Sequence, residues 1–182
     1  METNQNLHME ITRDFSVPPE RLFKAWNDEA DLKKWWKPLG STLAEVTNEL
    51  KVNGQICYKF TRNETKESFS ITGEYLEIKE PEKLVYTWNW QLPDVNEEVN
   101  NYKLDISFLP KDGGSSIHIV QSGFSTEESI KPHEEGWQNA LNSLVAFLDP
   151  ESIDAKPFSY GADKPSQVTG YNELAEQEKV GE

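Results

Sequence analysis

Apolar and polar residues alternate along several segments of the chain, a pattern typical of β-strands with one buried face. The apolar positions of three such segments are Ile56, Tyr58 and Phe60, then Leu84, Tyr86, Trp88 and Trp90, then Tyr102, Leu104, Ile106 and Phe108. A further strand over 69–79 has a mixed phase, which predicts a bulge near Gly73. Short turn segments join these strands, so neighbouring strands are predicted to be antiparallel.

One strand and two short helices are predicted on the N-terminal side of this strand-rich region. Leu7–Phe15 predicts a first strand. Ser16 is the expected N-cap of a helix that carries Trp26. Asp28 is the expected N-cap of a second short helix, which carries Trp36 and ends at the following proline and glycine.

A long helix is predicted on the C-terminal side, beginning after Ser129 with Pro132 in its first turn. Its apolar face consists of Ile130, His133, Trp137, Leu141, Leu144 and Leu148. A single apolar stripe must pack against something, and the buried face of the sheet is the large apolar partner. The order of elements predicts an α+β domain over residues 1–148.

The periodic pattern stops at Asp149, and residues 149–182 are polar, acidic and interrupted by proline and glycine. This segment is expected to be a tail, not a second domain. Two alternatives remain open for it. One is a solvated disordered tail. The other is a strap or partner strip anchored by aromatic and apolar side chains, namely Phe158, Tyr160, Tyr171 and Leu174.

Charge narrows the list of partners. The formal net charge is −14, from 32 acidic against 18 basic residues in 182. This balance repels nucleic acid and anionic lipid surfaces, so neither is an expected partner. Cys57 is the single cysteine, the first residues are polar, and no apolar run approaches the roughly 18–20 residues that cross a bilayer. The cytoplasm is the expected location, without membrane insertion.

Four segments, in this order along the chain, resemble a known family. They are Val17–Trp26, Asp31–Pro38 with its Leu-Lys-Lys-Trp-Trp-Lys-Pro run, Gly73–Trp88, and Gly123–Leu141. The family is that of homologues of the heat shock protein 90 ATPase activator, within the START/birch-allergen-like (SRPBCC) superfamily. The resemblance covers residues 7–148. It implies a helix-grip fold, in which a curved antiparallel sheet wraps around the C-terminal helix and leaves a cavity for lipids, sterols or other apolar molecules.

The inner faces are unusually aromatic, and this is the main clue to a site. Aromatic walls with a few converging polar groups are typical of small-molecule pockets, although the same rings could simply fill the core. The predicted ligand-binding residues are Trp26, Trp36, Tyr58, Phe60, Tyr75, Tyr86, Trp88, Trp90, Tyr102, Leu104, Phe108, Gln121, His133, Trp137 and Leu141.

Individual polar residues also bear on the expected site. The phase of its strand turns the amide of Gln121 towards the expected cavity. His133 lies on the apolar stripe of the last helix, where it is either a satisfied helix-start histidine or a ligand contact. Glu77 could share the inward phase of Tyr75.

Signals of catalysis are weak. His8, His118 and His133 lack metal-ligand spacing, and nucleophile-elbow, phosphate-loop and dinucleotide motifs are absent from the sequence. No cofactor and no metal are therefore predicted. The leading hypothesis is a non-catalytic module that binds a small hydrophobic molecule, lipid-like or aromatic. The alternatives are a co-chaperone that stimulates the heat shock protein 90 ATPase and a cavity enzyme of cyclase or hydratase type. A sheet edge could also pair with a second copy to give a homodimer.

Overall fold

The computed structural model describes residues 7–92 and 99–149. In chain order the elements are β1 (His8–Phe15), α1 (Pro19–Asn27), α2 (Glu29–Trp35), a 3-10 turn (Pro38–Gly40), β2 (Ser41–Asn48), β3 (Gln55–Arg62), β4 (Ser68–Lys79), β5 (Lys83–Gln91), β6 (Val99–Lys111), β7 (Gly114–Ser122), a 3-10 turn (Glu127–Ser129) and α3 (Ile130–Leu148). The predicted tail over 149–182 lies outside the described residues, except for Asp149.

Seven strands form an antiparallel sheet in the order β1-β7-β6-β5-β4-β3-β2. From β2 to β7 each strand pairs antiparallel with the next one along the chain. The first strand instead pairs with the last, with His8 opposite Ser122 and Phe15 opposite Ser115. The curved sheet, the long C-terminal helix and the two short helices after β1 confirm the predicted α+β helix-grip fold.

The predicted bulge is present in β4, but it lies further along the strand than expected. The register shifts between Tyr75 and Glu77, not at Gly73. Tyr75 is therefore buried while Leu76 is 46% exposed and Glu77 is exposed, so the expectation that Glu77 points inward is wrong. Gly73 has a different role: a Cβ there would lie 2.0 Å from the carbonyl oxygen of Thr87, so the close approach of β5 requires glycine.

The C-terminal helix begins where the sequence predicts. α3 starts at Ile130 with Pro132 in its first turn, where the missing N–H of proline costs no helical hydrogen bond. Trp137, Leu141 and Leu144 are buried along one face. The apolar stripe thus packs on the inner side of the sheet, as its spacing indicates.

Of the two predicted N-caps, one is confirmed and one is wrong. The Asp28 carboxylate accepts a hydrogen bond from the backbone N–H of Asp31 and caps α2. At α1 the N-cap position is Pro18, which makes no side-chain cap. Ser16 instead donates its hydroxyl hydrogen to the Asp149 carboxylate, because the end of β1 lies beside the end of α3.

The two short helices are fastened to each other. The buried Asp31 carboxylate accepts hydrogen bonds from Arg21 Nη1 at 2.8 Å and from Lys24 Nζ at 3.2 Å. Burial raises the pKa of Asp31, but these two cations outweigh it and hold the pKa below its usual value. The indole N–H of Trp35 donates to the Ala25 carbonyl at 2.9 Å. α1 and α2 therefore present their aromatic side chains to the sheet as one unit.

The helices in the described part of the chain are all too short or too polar to span a membrane.

Candidate functional site

Five of the six tryptophans of the chain line one small void between the helices and the sheet. They come from α1, from α2 and the residue that follows it, from β5 and from α3. The complete lining is Trp26, Leu32, Trp35, Trp36, Tyr58, Tyr86, Trp88 and Trp137. Every side chain in it is apolar or aromatic and carries no charge.

The five indoles contact one another in a closed ring, which we call the tryptophan ring. Its centroid separations are 5.5 Å for Trp26–Trp35, 6.2 Å for Trp35–Trp36, 5.7 Å for Trp36–Trp88, 5.9 Å for Trp88–Trp137 and 5.8 Å for Trp137–Trp26. These separations are within the range of favourable aromatic pairs. Four elements, namely α1, α2, β5 and α3, therefore contribute to one continuous aromatic wall.

The indole N–H groups of the ring differ in their hydrogen bonds. Trp26 Nε1 donates to the Tyr86 hydroxyl at 3.1 Å, and Trp137 Nε1 donates to Gln121 Oε1 at 2.7 Å. Trp88 is 2% exposed, and its Nε1 has no acceptor among the described residues. An indole N–H can only donate, and burying such a donor without an acceptor costs free energy. Of these three indole N–H groups, that of Trp88 is the one without an acceptor among the described residues.

The void itself measures about 10 Å³. That is room for about one water molecule, whereas preformed ligand pockets usually measure hundreds of cubic ångströms. Among the described residues, aromatic side chains therefore almost fill the space between the two short helices, β5 and α3. An organic ligand at this position requires the rings to move apart.

A second buried group, the amide cluster, consists of Gln121, His133 and Trp137. Because Gln121 Oε1 accepts from Trp137, the amide nitrogen of Gln121 faces His133 Nδ1, at 3.3 Å. That nitrogen can only donate, so Nδ1 carries no hydrogen and the neutral imidazole is protonated on Nε2. Tyr102 and Phe124 contact the imidazole at centroid distances of 4.9 and 5.2 Å.

Burial lowers the pKa of His133 to about 3, so its imidazole is neutral at physiological pH. Its Nδ1 faces Gln121, and its imidazole does not line the void. A ligand contact at His133 stays a prediction. Gln121 is buried, as its phase predicts. Its amide oxygen accepts from Trp137 and its amide nitrogen faces His133, and Gln121 does not line the void.

All fifteen residues predicted to bind ligand are buried, but fewer than half of them line the void. Phe60 and Trp90 stack on either side of Phe69, at 5.0 and 5.8 Å. Tyr75 donates its hydroxyl hydrogen to Asn48 Oδ1 at 2.6 Å. The other predicted contacts outside the lining are Tyr102, Leu104, Phe108, Gln121, His133 and Leu141.

Two lining residues were not among the predicted contacts. Leu32 and Trp35 both lie on α2, three positions apart, so they share the face that packs on the sheet. The Asp31–Pro38 run contains both residues, and it was already prominent in the sequence. The helical spacing within that run was the signal that would have identified them.

A larger groove of about 490 Å³, which we call the outer groove, lies along β2 to β5. Lys59 pairs with Glu45 at 2.9 Å, and Ser70 donates to Gln91 at 3.0 Å. The register places these four residues in one row across β2 to β5. The full lining is Ala44, Glu45, Lys59, Phe60, Thr61, Ser68, Phe69, Ser70, Gln91 and Leu92. It contains no tryptophan, which makes it distinguishable from the void by experiment.

A curved antiparallel sheet packed on a long C-terminal helix defines a helix-grip domain, an architecture consistent with ligand binding. Residues 16–149 match the family model described as "Activator of Hsp90 ATPase homolog 1-like protein". The match covers well over half of the chain, and the chain belongs to this family.

Several solved structures share the fold. Protein CV1439 from Chromobacterium violaceum is 26% identical with a TM-score of 0.66, covering 80% of this chain and 99% of that one. The AHSA1 (SPO3351) protein from Silicibacter pomeroyi is 24% identical with a TM-score of 0.67, covering 80% and 100%. The AHSA1-like protein from Aeromonas hydrophila is 18% identical with a TM-score of 0.63, covering 85% and 100%. No protein with a curated description matches the chain.

Proposed function

We propose that the protein binds a small hydrophobic molecule at the tryptophan ring, without catalysis, and that this molecule is aromatic and not a long-chain lipid. The observation that carries the proposal is the closed ring of five indoles around an uncharged void. A core that serves stability alone is built more simply from leucine, isoleucine and valine, whose side chains need no hydrogen-bond partner.

The size of the void favours a planar ligand. A long acyl chain needs a pocket of hundreds of cubic ångströms, whereas the void measures about 10 Å³. A flat ring can slot between nearly parallel indoles after modest shifts. Trp26 and Trp137 are inclined by 14°, and Trp36 and Trp88 by 22°. Trp36 has the largest exposed fraction in the ring, 7%, so we place the entrance beside it.

The chemistry of the lining favours binding over catalysis. A cavity enzyme needs an acid, base or nucleophile beside its substrate. The lining residues contain no carboxylate, imidazole or thiol. His133 lies outside this lining, is neutral, and its Nδ1 faces Gln121.

Binding is tested by titrating the full chain with toluene, p-cresol and decanoate while following the melting temperature and the tryptophan fluorescence. We expect toluene and p-cresol to change both signals, because a ligand that binds only the folded state stabilises it by RT ln(1 + [L]/Kd). Decanoate should have little effect, since the void has neither length nor a cation for a carboxylate. Gln91→Ala, in the outer groove, is the matched control and should bind like wild type.

Failure of every probe up to its solubility limit would remove the proposal. Loss of binding in Gln91→Ala, relative to wild type, would move the site to the outer groove. The co-chaperone alternative remains a prediction from the family resemblance. It is tested by adding the full chain to the cognate heat shock protein 90 and measuring ATP hydrolysis.

A further inference from the structure

The buried indole N–H of Trp88 gives the tryptophan ring a preference for ligands that carry a hydrogen-bond acceptor. Its Nε1 is buried and has no acceptor among the described residues, although Trp88 lines the void. The indoles of Trp26, Trp35 and Trp137, by contrast, donate within the protein. Since burial of an unsatisfied donor costs free energy, an acceptor atom placed within reach of it would recover that free energy.

Two phenols belong to the same lining. Tyr86 accepts a hydrogen bond from Trp26 and retains its own hydrogen to donate. Tyr58 lies in the same lining. Burial raises the pKa of both hydroxyls well above the usual value, so both remain protonated donors at physiological pH. The void therefore presents hydrogen-bond donors and no anionic acceptor.

Charge decides between the ligand classes that aromatic walls can accommodate. Aromatic cages also bind quaternary ammonium ions over ring faces. Here the lining contains no carboxylate to balance a buried cation and no cation to balance an anion. An uncompensated charge is very costly to bury. In addition, the N–H of Trp88 carries partial positive charge, which repels a cation and attracts an acceptor.

We propose that the ring is a subsite for a neutral aromatic ligand that carries a carbonyl oxygen, with Trp88 Nε1 as the donor to that oxygen. This inference rests on the proposed function and specifies its ligand class. The aromatic part of the ligand lies between the indoles, and the oxygen occupies the void beside Trp88. A ligand of the same shape without an acceptor leaves the Trp88 N–H without a hydrogen bond and therefore binds more weakly.

The test uses the full chain and a matched pair of probes. Acetophenone has the carbonyl, and α-methylstyrene has nearly the same shape with a CH₂ group in place of the oxygen. Phenyltrimethylammonium is the third probe and tests the cationic alternative. Affinities are measured from changes in the indole N–H resonances in proton–nitrogen correlation spectra. We expect acetophenone to bind about tenfold more tightly than α-methylstyrene, which corresponds to 1.4 kcal/mol.

Two variants assign the preference to one atom. Trp88→Phe keeps an aromatic ring but removes the N–H, so the ratio of the two affinities should fall to near one. Trp36→Phe is the matched control in the same ring. It should weaken both probes alike and keep their ratio, because the Trp88 N–H is untouched.

A direct readout covers the case in which Trp88→Phe does not fold. In the wild-type protein, acetophenone should move the Trp88 indole N–H resonance downfield, and α-methylstyrene should not. Equal affinities for the two neutral probes, or a ratio that survives Trp88→Phe, would overturn the inference while leaving the proposed function intact. Tightest binding by phenyltrimethylammonium would overturn it in favour of a cation cage. Binding of none of the three probes would remove the inference and the proposed function together.

Discussion

The tryptophan ring and the amide cluster lie side by side and share Trp137, yet the Trp88 indole in one and the Gln121 amide in the other differ in their hydrogen bonds. In the amide cluster, the Gln121 amide accepts from Trp137 and donates to His133. In the ring, Trp88 has a buried N–H without an acceptor among the described residues, and a void adjoins it. Hydrogen-bonded buried polar groups make a core rigid and specific. The difference supports a structural role for the Gln121 amide and is consistent with the ligand proposed for the ring.

Replacing the shared residue should have the largest effect. Trp137→Ala removes an indole that is 3% exposed and creates a cavity at the junction of the two regions. We expect a loss of about 3–5 kcal/mol in the free energy of unfolding, measured by urea denaturation. Added indole should restore part of the melting temperature in this variant. A loss below about 1 kcal/mol would show that the two regions do not depend on Trp137.

A matched pair of substitutions separates the two regions directly. Trp137→Phe leaves the Gln121 carbonyl without its donor, and Trp88→Phe removes a donor that has no acceptor among the described residues. Both lose similar volume. We expect Trp137→Phe to be less stable than Trp88→Phe by about 2 kcal/mol, with Trp88→Phe within about 1 kcal/mol of wild type. Equal losses in urea denaturation would contradict the contrast between ring and cluster.

Acid should destabilise the protein through the amide cluster. The pKa of His133 is about 3 in the folded state and near 6.5 when unfolded. Between these values the unfolded state binds a proton that the folded state does not, so stability falls as the pH is lowered from about 6.5 towards 3. The slope of this term is about 1.4 kcal/mol per pH unit. The free energy of unfolding of His133→Phe, measured in urea at each pH, should lack this slope. The difference between the wild-type and variant stability curves then separates the contribution of His133 from that of the carboxylates.

The smallest effect concerns the ring alone. Asp28→Ala removes the N-cap of α2, which carries Trp35, and should cost about 1 kcal/mol. Because α2 borders the void, hydrogen exchange of the Trp35 indole N–H should accelerate while that of Trp137 remains slow. Equal acceleration of both would mean that the two regions open together.

The sequence predicted much of the fold because the relevant signals are local. Period-two alternation identified the inner faces of β3, β5 and β6, and helical spacing placed the start of α3 at Ile130. The Asp28 cap followed from residue type and position. The position of the bulge was predicted less well. It lies between Tyr75 and Glu77 because strand register depends on the neighbouring strand, which a single strand's pattern does not contain.

The sequence by itself determined that the interior is aromatic and that Trp88, Trp137 and Gln121 point into it. It could not determine which rings meet, because Trp26, Trp88 and Trp137 are joined by contacts between elements far apart in the chain. Tertiary structure alone decided that the void between the five indoles measures about 10 Å³ and that Trp88, which lines it, carries a buried N–H without an acceptor among the described residues. Side-chain volume and hydrogen-bond pairing are settled only when all the elements pack together, since each indole fills space and seeks a partner that another element supplies.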